Sequence, residues 1–253
     1  MQKVLFKTTT TIKFLCNSLI PVTSVLKKEM NKKLEIAVFN YQSALYAQSA
    51  GADRIELCIH PELGGISPGK EMIELVMQTI TIPVNVMVRP RGGNFDYTSD
   101  EYEAMKREIN YCKQQGVNGV VFGILTEDRQ VDELRCKELV SLAHPLKCTF
   151  HRAFDECELP GRELEKIIAC GFSHVLSSGT KANAVEGAKI LKQFIEQVSG
   201  RIVVMPGGGV RTSNLKILVN ETSATEYHSS ALTNQTEIAD TDEIENMKGL
   251  IRQ

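Results

Sequence analysis

The chain has no tryptophan, and aromatic residues make up only 6% of it. A carbohydrate cleft, which stacks sugars on aromatic rings, is a poor match for such a composition. There is no excess of either charge: 29 Lys and Arg stand against 31 Asp and Glu, a net charge of -2. Nucleic-acid sleeves and membrane-surface proteins need a positive excess, so neither a nucleic acid nor a membrane is an expected partner. No apolar run approaches the ~18 residues that a spanning helix needs. Nor is there a Cys-x-x-Cys pair. The seven cysteines (Cys16, Cys58, Cys112, Cys136, Cys148, Cys157 and Cys170) are scattered singly and odd in number. That excludes a regular disulfide framework. It predicts reduced thiols in a cytoplasmic protein, most of them small core hydrophobes.

What is present is an ordinary globular composition over 253 residues, 42% hydrophobic and 24% charged. That length holds one large core. Residues 1–29 carry a net charge of +4 against -6 for the remainder. Their apolar patch, Phe14 to Leu26, is broken by Asn17, Ser18 and Pro21. It lacks the continuous core and the small-x-small cleavage site of a secretory signal. Residues 1–30 are therefore expected to be a disordered leader or an over-called start, with Met30 opening a native-like N-terminus. Residues 31–253 are expected to form a single domain.

From Leu34 onward, short apolar runs alternate with amphipathic stretches. Strands are predicted at Leu34–Phe39, Arg54–Cys58, Pro83–Val88, Asn118–Leu125, Cys148–His151, His174–Ser177, Arg201–Met205 and Glu226–Ser229. Helices are predicted at Gln42–Ser49, from Ser67-Pro68 to Gln78, and from a cap at Ser99 to Gln115. Further helices follow at Asp132–Ala143, Arg162–Ala169, Ala184–Val198, Thr212–Val219 and Asp240–Ile251. Continuous apolar strands with short connections imply a parallel sheet covered on both faces. Eight such units in series predict an α/β fold, a compact parallel (β/α)8 TIM-type barrel, in preference to an open doubly wound sheet.

In such a barrel the chemistry lies at the C-terminal strand ends. Alternation decides which side chains point to the axis. It places Glu35, Glu56, Cys58, Asn85, Met87, Arg89, Thr149 and His151 inside. Buried charges need partners, and two readings follow. One is a structural Glu–Arg network. The other is a site with Glu56, Arg89, His151 and Asp155 as the catalytic set, where Glu56 or His151 handles protons and Arg89 holds an anion. Gly207-Gly208-Gly209 before a helix, with Ser229 and Ser230 after the eighth strand, match a barrel anion site. Arg91 and Arg152 are further anion-binding candidates. Copper(I) prefers sulfur. Cys58 is the best metal-ligand candidate, with His151 as an assisting ligand.

These residues fall within segments that resemble the CutC family. They are Ala-Asp-Arg-Ile-Glu-Leu-Cys (52–58), Val-Met-Val-Arg-Pro-Arg-Gly-Gly-Asn-Phe (86–95) and Gly-Val-Val-Phe-Gly-Ile-Leu-Thr (119–126). Thr-Phe-His-Arg-Ala-Phe-Asp (149–155), Val-Met-Pro-Gly-Gly-Gly-Val (204–210) and Glu-Tyr-His-Ser-Ser-Ala (226–231) complete the set. The resemblance covers about residues 33–232. It implies a cytoplasmic (β/α)8 barrel that forms a homo-oligomer, a dimer or tetramer, with a role in copper homeostasis and copper(I) bound through cysteine. It also places Glu56, Cys58, Arg89, Arg91, His151, Arg152, Asp155 and His228 at motif positions. Two departures stand out: the first strand has no cysteine to partner Cys58, and Asn94 replaces the more usual Asp. The alternative expectation is an isomerase- or lyase-type barrel enzyme acting on a small anionic or phosphorylated metabolite.

Overall fold

A computed structural model describes residues 32–233 and 237–252. The expected leader lies outside the described residues. The strands are β1 (Lys33–Val38), β2 (Arg54–Leu57), β3 (Val84–Met87), β4 (Gly119–Phe122), β5 (Lys147–Phe150), β6 (His174–Ser177), β7 (Val203–Pro206) and β8 (Glu226–Ser229). The helices are α1 (Tyr41–Ser49), α2 (Lys70–Thr79), α3 (Ser99–Gln115), α4 (Glu133–Ala143), α5 (Pro160–Cys170), α6 (Ala188–Val198), α7 (Thr212–Thr222) and α8 (Thr241–Ile251). All ladders are parallel, in the order β7-β6-β5-β4-β3-β2-β1-β8. The result is the expected (β/α)8 barrel, nearly closed. Among the described residues no ladder joins β7 to β8. Side chains stitch that seam instead: Ser229 Oγ donates to Val210 O at 2.7 Å, and Arg211 Nη1 donates to both Val210 O and Ser229 Oγ.

Helix boundaries shift where polar side chains are engaged elsewhere. The second helix starts at Lys70 rather than Ser67, because Ser67 Oγ accepts from the Arg89 N–H and donates to Glu108. Thr98, not Ser99, caps α3, in a reciprocal capping box with Glu101. Five predicted strands stop short, at Val38, Leu57, Met87, Phe122 and Phe150. The residues that follow leave the ladder and build the barrel mouth.

Alternation sorts the strands as expected. Leu34, Ile36, Ile55, Leu57, Val84, Val86 and Phe150 join the continuous core between sheet and helices. Ala37, Cys58, Met87 and Val121 form a small apolar cluster of their own. Below it the axis is charged. Register sets Glu35 beside Arg54 on β2 and beside His228 on β8. Glu35 is 1% exposed. It pairs with Arg54 Nε, accepts from Asn85 Nδ2 at 3.1 Å and contacts His228 Nδ1 at 2.8 Å. Arg54 continues to Glu226 at 2.8 Å, and Glu226 lies 3.4 Å from His174. Burial alone would raise the Glu35 pKa, but Arg54 and His228 outweigh it and hold it near about 2. Glu35→Ala leaves Arg54 and His228 without that partner in the interior. It should cost about 3–5 kcal/mol in urea unfolding, the usual loss on breaking a buried pair.

Candidate active site

A cavity of about 380 Å³ opens at the C-terminal strand ends, within the usual range for small-ligand sites. Glu56, Cys58, His151, Gly208, Arg211 and His228 are among the residues that line it. One wall carries titratable groups, and another is built from the loops after β7 and β8.

Glu56 sits on β2 two residues beyond Arg54, so both face the axis. It is 3% exposed, and its Oε2 is buried without a hydrogen-bond partner. Arg54 and His228 are spent on Glu35. Burial raises Glu56 to about 7, with His228 pulling down, Glu35 pushing up and Arg54 pulling down. The pKa of His228 is raised; burial opposes this, but Glu56 and Glu35 prevail. Among the described residues, Glu35, Glu56 and His228 bring one ligand atom each within 4.8 Å of one another, the only such group of three potential metal donors. Arg54 already supplies a cation to that group.

His151 is 4% exposed and lines the same cavity. Its Nδ1 accepts from the Ala153 N–H at 3.3 Å, and its Nε2 is buried without a partner. Burial, reinforced by the charge of Arg89, pushes it down to about 3. The imidazole is therefore neutral at physiological pH.

Several expected roles change. Arg89 is not free to hold an anion: Nη1 donates to Leu63 O and Gly65 O, and Nη2 donates to Gly93 O. Its guanidinium carbon lies 4.8 Å from the Phe95 ring centre. It clamps the rim, and only the buried Nε lacks a partner. Asp155 lines the cavity, but its oxygens are saturated by Ser177 Oγ, Ser178 N–H and Oγ, Thr180 N–H and Arg152 Nε. It positions the β6 loop and Arg152. Arg91 is not among the cavity-lining residues. It pairs with Glu101 at 2.6 Å and donates to three backbone carbonyls. Gly207 is a packing glycine, since a Cβ there would lie 2.4 Å from Leu176 Cδ1.

The remaining anion candidates do converge. Gly208 and Gly209 have φ of 94° and 73°, which favours glycine. Among the described residues their N–H groups have no protein partner. Arg152 donates Nη2 to Ser178 Oγ, and its Nη1 would lie 3.4 Å from a Cβ on Gly208. Ser229 and Ser230 line the cavity, with their hydroxyls accepting from Arg211. Arg211, at the N-cap of α7, was missed by the sequence reading. Its place directly after the glycine turn was the available signal, as was the parity of Arg54 with Glu56.

A barrel with a polar, titratable cavity at its C-terminal mouth is the class defined by this fold and site. The CutC family profile matches residues 32–233. Over 198 residues the chain is 46% identical to the copper homeostasis protein cutC homolog of Homo sapiens, covering 78% of this chain and 72% of the human one. It is 42% identical to a family protein CutC of Chromobacterium violaceum, over 80% of this chain and 82% of that one. The crystal structure of a copper homeostasis protein CutC from Streptococcus agalactiae superimposes with a TM-score of 0.75 at 29% identity, over 80% of this chain and all (100%) of that one. The chain belongs to the CutC family. Phosphoribosylanthranilate isomerase of Thermotoga maritima shares the fold alone, with a TM-score of 0.59 at 13% identity over 87% of this chain and 98% of that one.

The family's copper association invites a test of the sulfur donors. Cys58 is 1% exposed, and its thiol points to Val38 O at 3.6 Å. Burial, then Glu56 and Glu35, push its pKa well up, which favours the thiol over the thiolate that binds metal. Met87 shares its apolar cluster, and no other cysteine among the described residues lines the cavity. The other described cysteines sit in the core between sheet and helices. One protonated thiol beside one thioether is a poor fit to copper(I).

Glu56 provides a test by linkage. Its folded pKa lies above the unfolded value of 4.5. Stability is therefore lost as pH rises from 4.5 toward 7, because the native state must give up a proton it holds more tightly than the unfolded chain does. Glu56→Gln removes that cost. It should raise stability by about 3 kcal/mol at pH 8 and change little at pH 4.5, as read from urea midpoints at each pH.

Proposed function

We propose that this protein is a proton-transferring enzyme of the isomerase or lyase type, acting on a small anionic metabolite. The observation that carries the reading is Glu56: a buried carboxylate with an unpartnered oxygen, at about 7, on the wall of an open cavity. A general base is most effective when its pKa lies near the working pH. A carboxylate kept only for structure would be paired, as Glu35 is. The anion wall complements it. Two free backbone N–H groups, Arg152 and the dipole at the start of α7 offer a site for a phosphate or carboxylate, and Arg211 holds the β8 loop in place.

Copper(I) at Cys58 is the second reading. It is supported by the side-by-side packing of Cys58 and Met87 against Gly65, whose Cβ would lie 3.4 Å from Sγ and 3.8 Å from Met87 Cε. An anaerobic titration against a chromophoric chelator separates the two. On the enzyme reading, wild type and Cys58→Ser compete equally and weakly. One tight equivalent lost in Cys58→Ser would establish the copper site.

The anion wall has its own test. Inorganic phosphate should bind saturably by calorimetry, and Arg152→Gln should weaken it at least about tenfold, the scale of a charge-assisted hydrogen bond. Absence of saturable binding would remove the anion subsite from the account.

A further inference from the structure

His151 lines the cavity with its ring orientation and tautomer fixed by its surroundings. A Cβ on Gly123 would lie 2.8 Å from its Nδ1 and 2.9 Å from its Cε1, so the ring rests directly on the backbone at that glycine. The Phe95 ring packs at 4.9 Å and the Phe150 ring at 6.1 Å. The ring is thereby held between a backbone and two aromatic side chains. On one edge, Nδ1 accepts the Ala153 N–H. A nitrogen that accepts cannot carry the proton, so the neutral tautomer has its proton on Nε2. That N–H is buried, has no partner among the described residues and belongs to a residue lining the cavity. An unmet buried donor is costly, and a ligand acceptor would relieve it.

The same cavity holds Glu56 with an unmet acceptor oxygen. The phosphate-type wall at Gly208, Gly209 and Arg152 completes three distinct contacts. A neutral donor, a carboxylate base and an anion subsite have one common chemical complement. It is a phosphorylated carbonyl compound with an ionisable C–H next to its C=O.

We propose that His151 is a neutral hydrogen-bond donor that polarises the carbonyl of such a substrate, an α-hydroxycarbonyl phosphate or a close relative, for enolisation by Glu56. This rests on the proton-transfer reading above and names its substrate class. The step balances internally. The Glu56 carboxylate takes a proton from the carbon beside the carbonyl. The C–H pair becomes the new C=C bond, and the C=O π pair moves onto oxygen. The Nε2–H hydrogen-bonds that enolate oxygen. Glu56, now a carboxylic acid, returns the proton to the same carbon, which restores the substrate, or to the former carbonyl carbon. In that case the hydroxyl proton passes to the enolate oxygen and the neighbouring carbon becomes the new C=O, so no oxidant or second reactant is needed. A neutral imidazole suits this role because its low basicity keeps the proton on nitrogen while it stabilises charge developing on oxygen. Burial and the nearby Arg89 hold it in that form.

The experiment compares two probes on the full chain: inorganic phosphate, which fills only the anion subsite, and phosphoglycolohydroxamate, a stable mimic of an enediolate phosphate. Binding is measured by calorimetry on wild type, His151→Phe and His151→Gln. Nitrogen-15 NMR of labelled histidine reads the tautomer. The hydroxamate should bind at least about 100-fold tighter than phosphate, the lower range for transition-state mimics. His151→Phe should lose most of that advantage while binding phosphate as wild type does, which also shows that it folds. His151→Gln, which keeps an N–H, should retain part of it. The His151 signals should report Nε2–H at pH 6 and shift on adding the hydroxamate. The proposal is overturned if phosphate binds but the hydroxamate binds no tighter, or if His151 is doubly protonated or Nδ1–H at pH 6. Failure of phosphate itself to bind would instead strike the anion subsite on which the proposal stands.

Discussion

The structure turns on an imbalance of charge along the barrel axis. Two glutamates, Glu35 and Glu56, face inward from neighbouring strands. Arg54 and His228, whose pKa is raised by the two glutamates, both engage Glu35 directly. Interior charges cost several kcal/mol unless compensated, so one carboxylate is held ionised and the other is driven toward its acid form. Pairs of titratable groups whose surroundings push their pKa values apart are how a fold separates a structural charge from a working one.

The rest of the mouth depends on that division. Arg89 uses three hydrogen bonds to tie the loops after β2 and β3 together, which forms a rim over the polar axis and places a fixed positive charge near His151. Asp155 organises the β6 loop so that Arg152 reaches toward Gly208. Arg211 closes the seam between β7 and β8, where no ladder forms among the described residues, and in doing so brings the β7 and β8 loops against the cavity. The same side chains that stabilise the open edge of the barrel thus shape the anion wall. Membership in the CutC family fixes the relatives of this chain. Burial raises the Cys58 pKa, and among the described residues no second cysteine lines the cavity, a poor fit to cysteine-held copper.

The barrel was legible in the sequence because its signal is local. Hydrophobic runs, glycine stops and strand parity fix eight units, and parity alone put Glu35, Glu56, Asn85 and His151 on the axis. Partners were not legible. Arg89 and Arg91 read as anion holders because their targets are backbone carbonyls of rim loops, and carbonyls leave no trace in side-chain pattern. Asp155 read as a member of the catalytic set for the same reason, since two of its donors are backbone N–H groups. Gly207 and Gly208 look alike in sequence, yet one is excluded from bearing a Cβ by Leu176 and the other abuts Ser178 and Arg152. Arg54 shares the parity of Glu56 and could have been placed beside Glu35 from sequence. Arg211 carried a signal in its place just after the glycine turn, but its contacts with Ser229 and Ser230 across the seam were not legible.

The central claim is that Glu56 is a buried carboxylate poised near neutrality while Glu35 stays ionised. Difference infrared spectroscopy on protein with isotope-labelled glutamate, wild type minus Glu56→Gln, reads the protonated carboxyl band of that one residue across pH. The account predicts a band that titrates near 7, at a frequency typical of a carboxyl shielded from water. A Glu56 that titrates at or below the ordinary value of 4.5 would mean that it is paired like Glu35, and the site would then be a structural network rather than a place where a proton is moved.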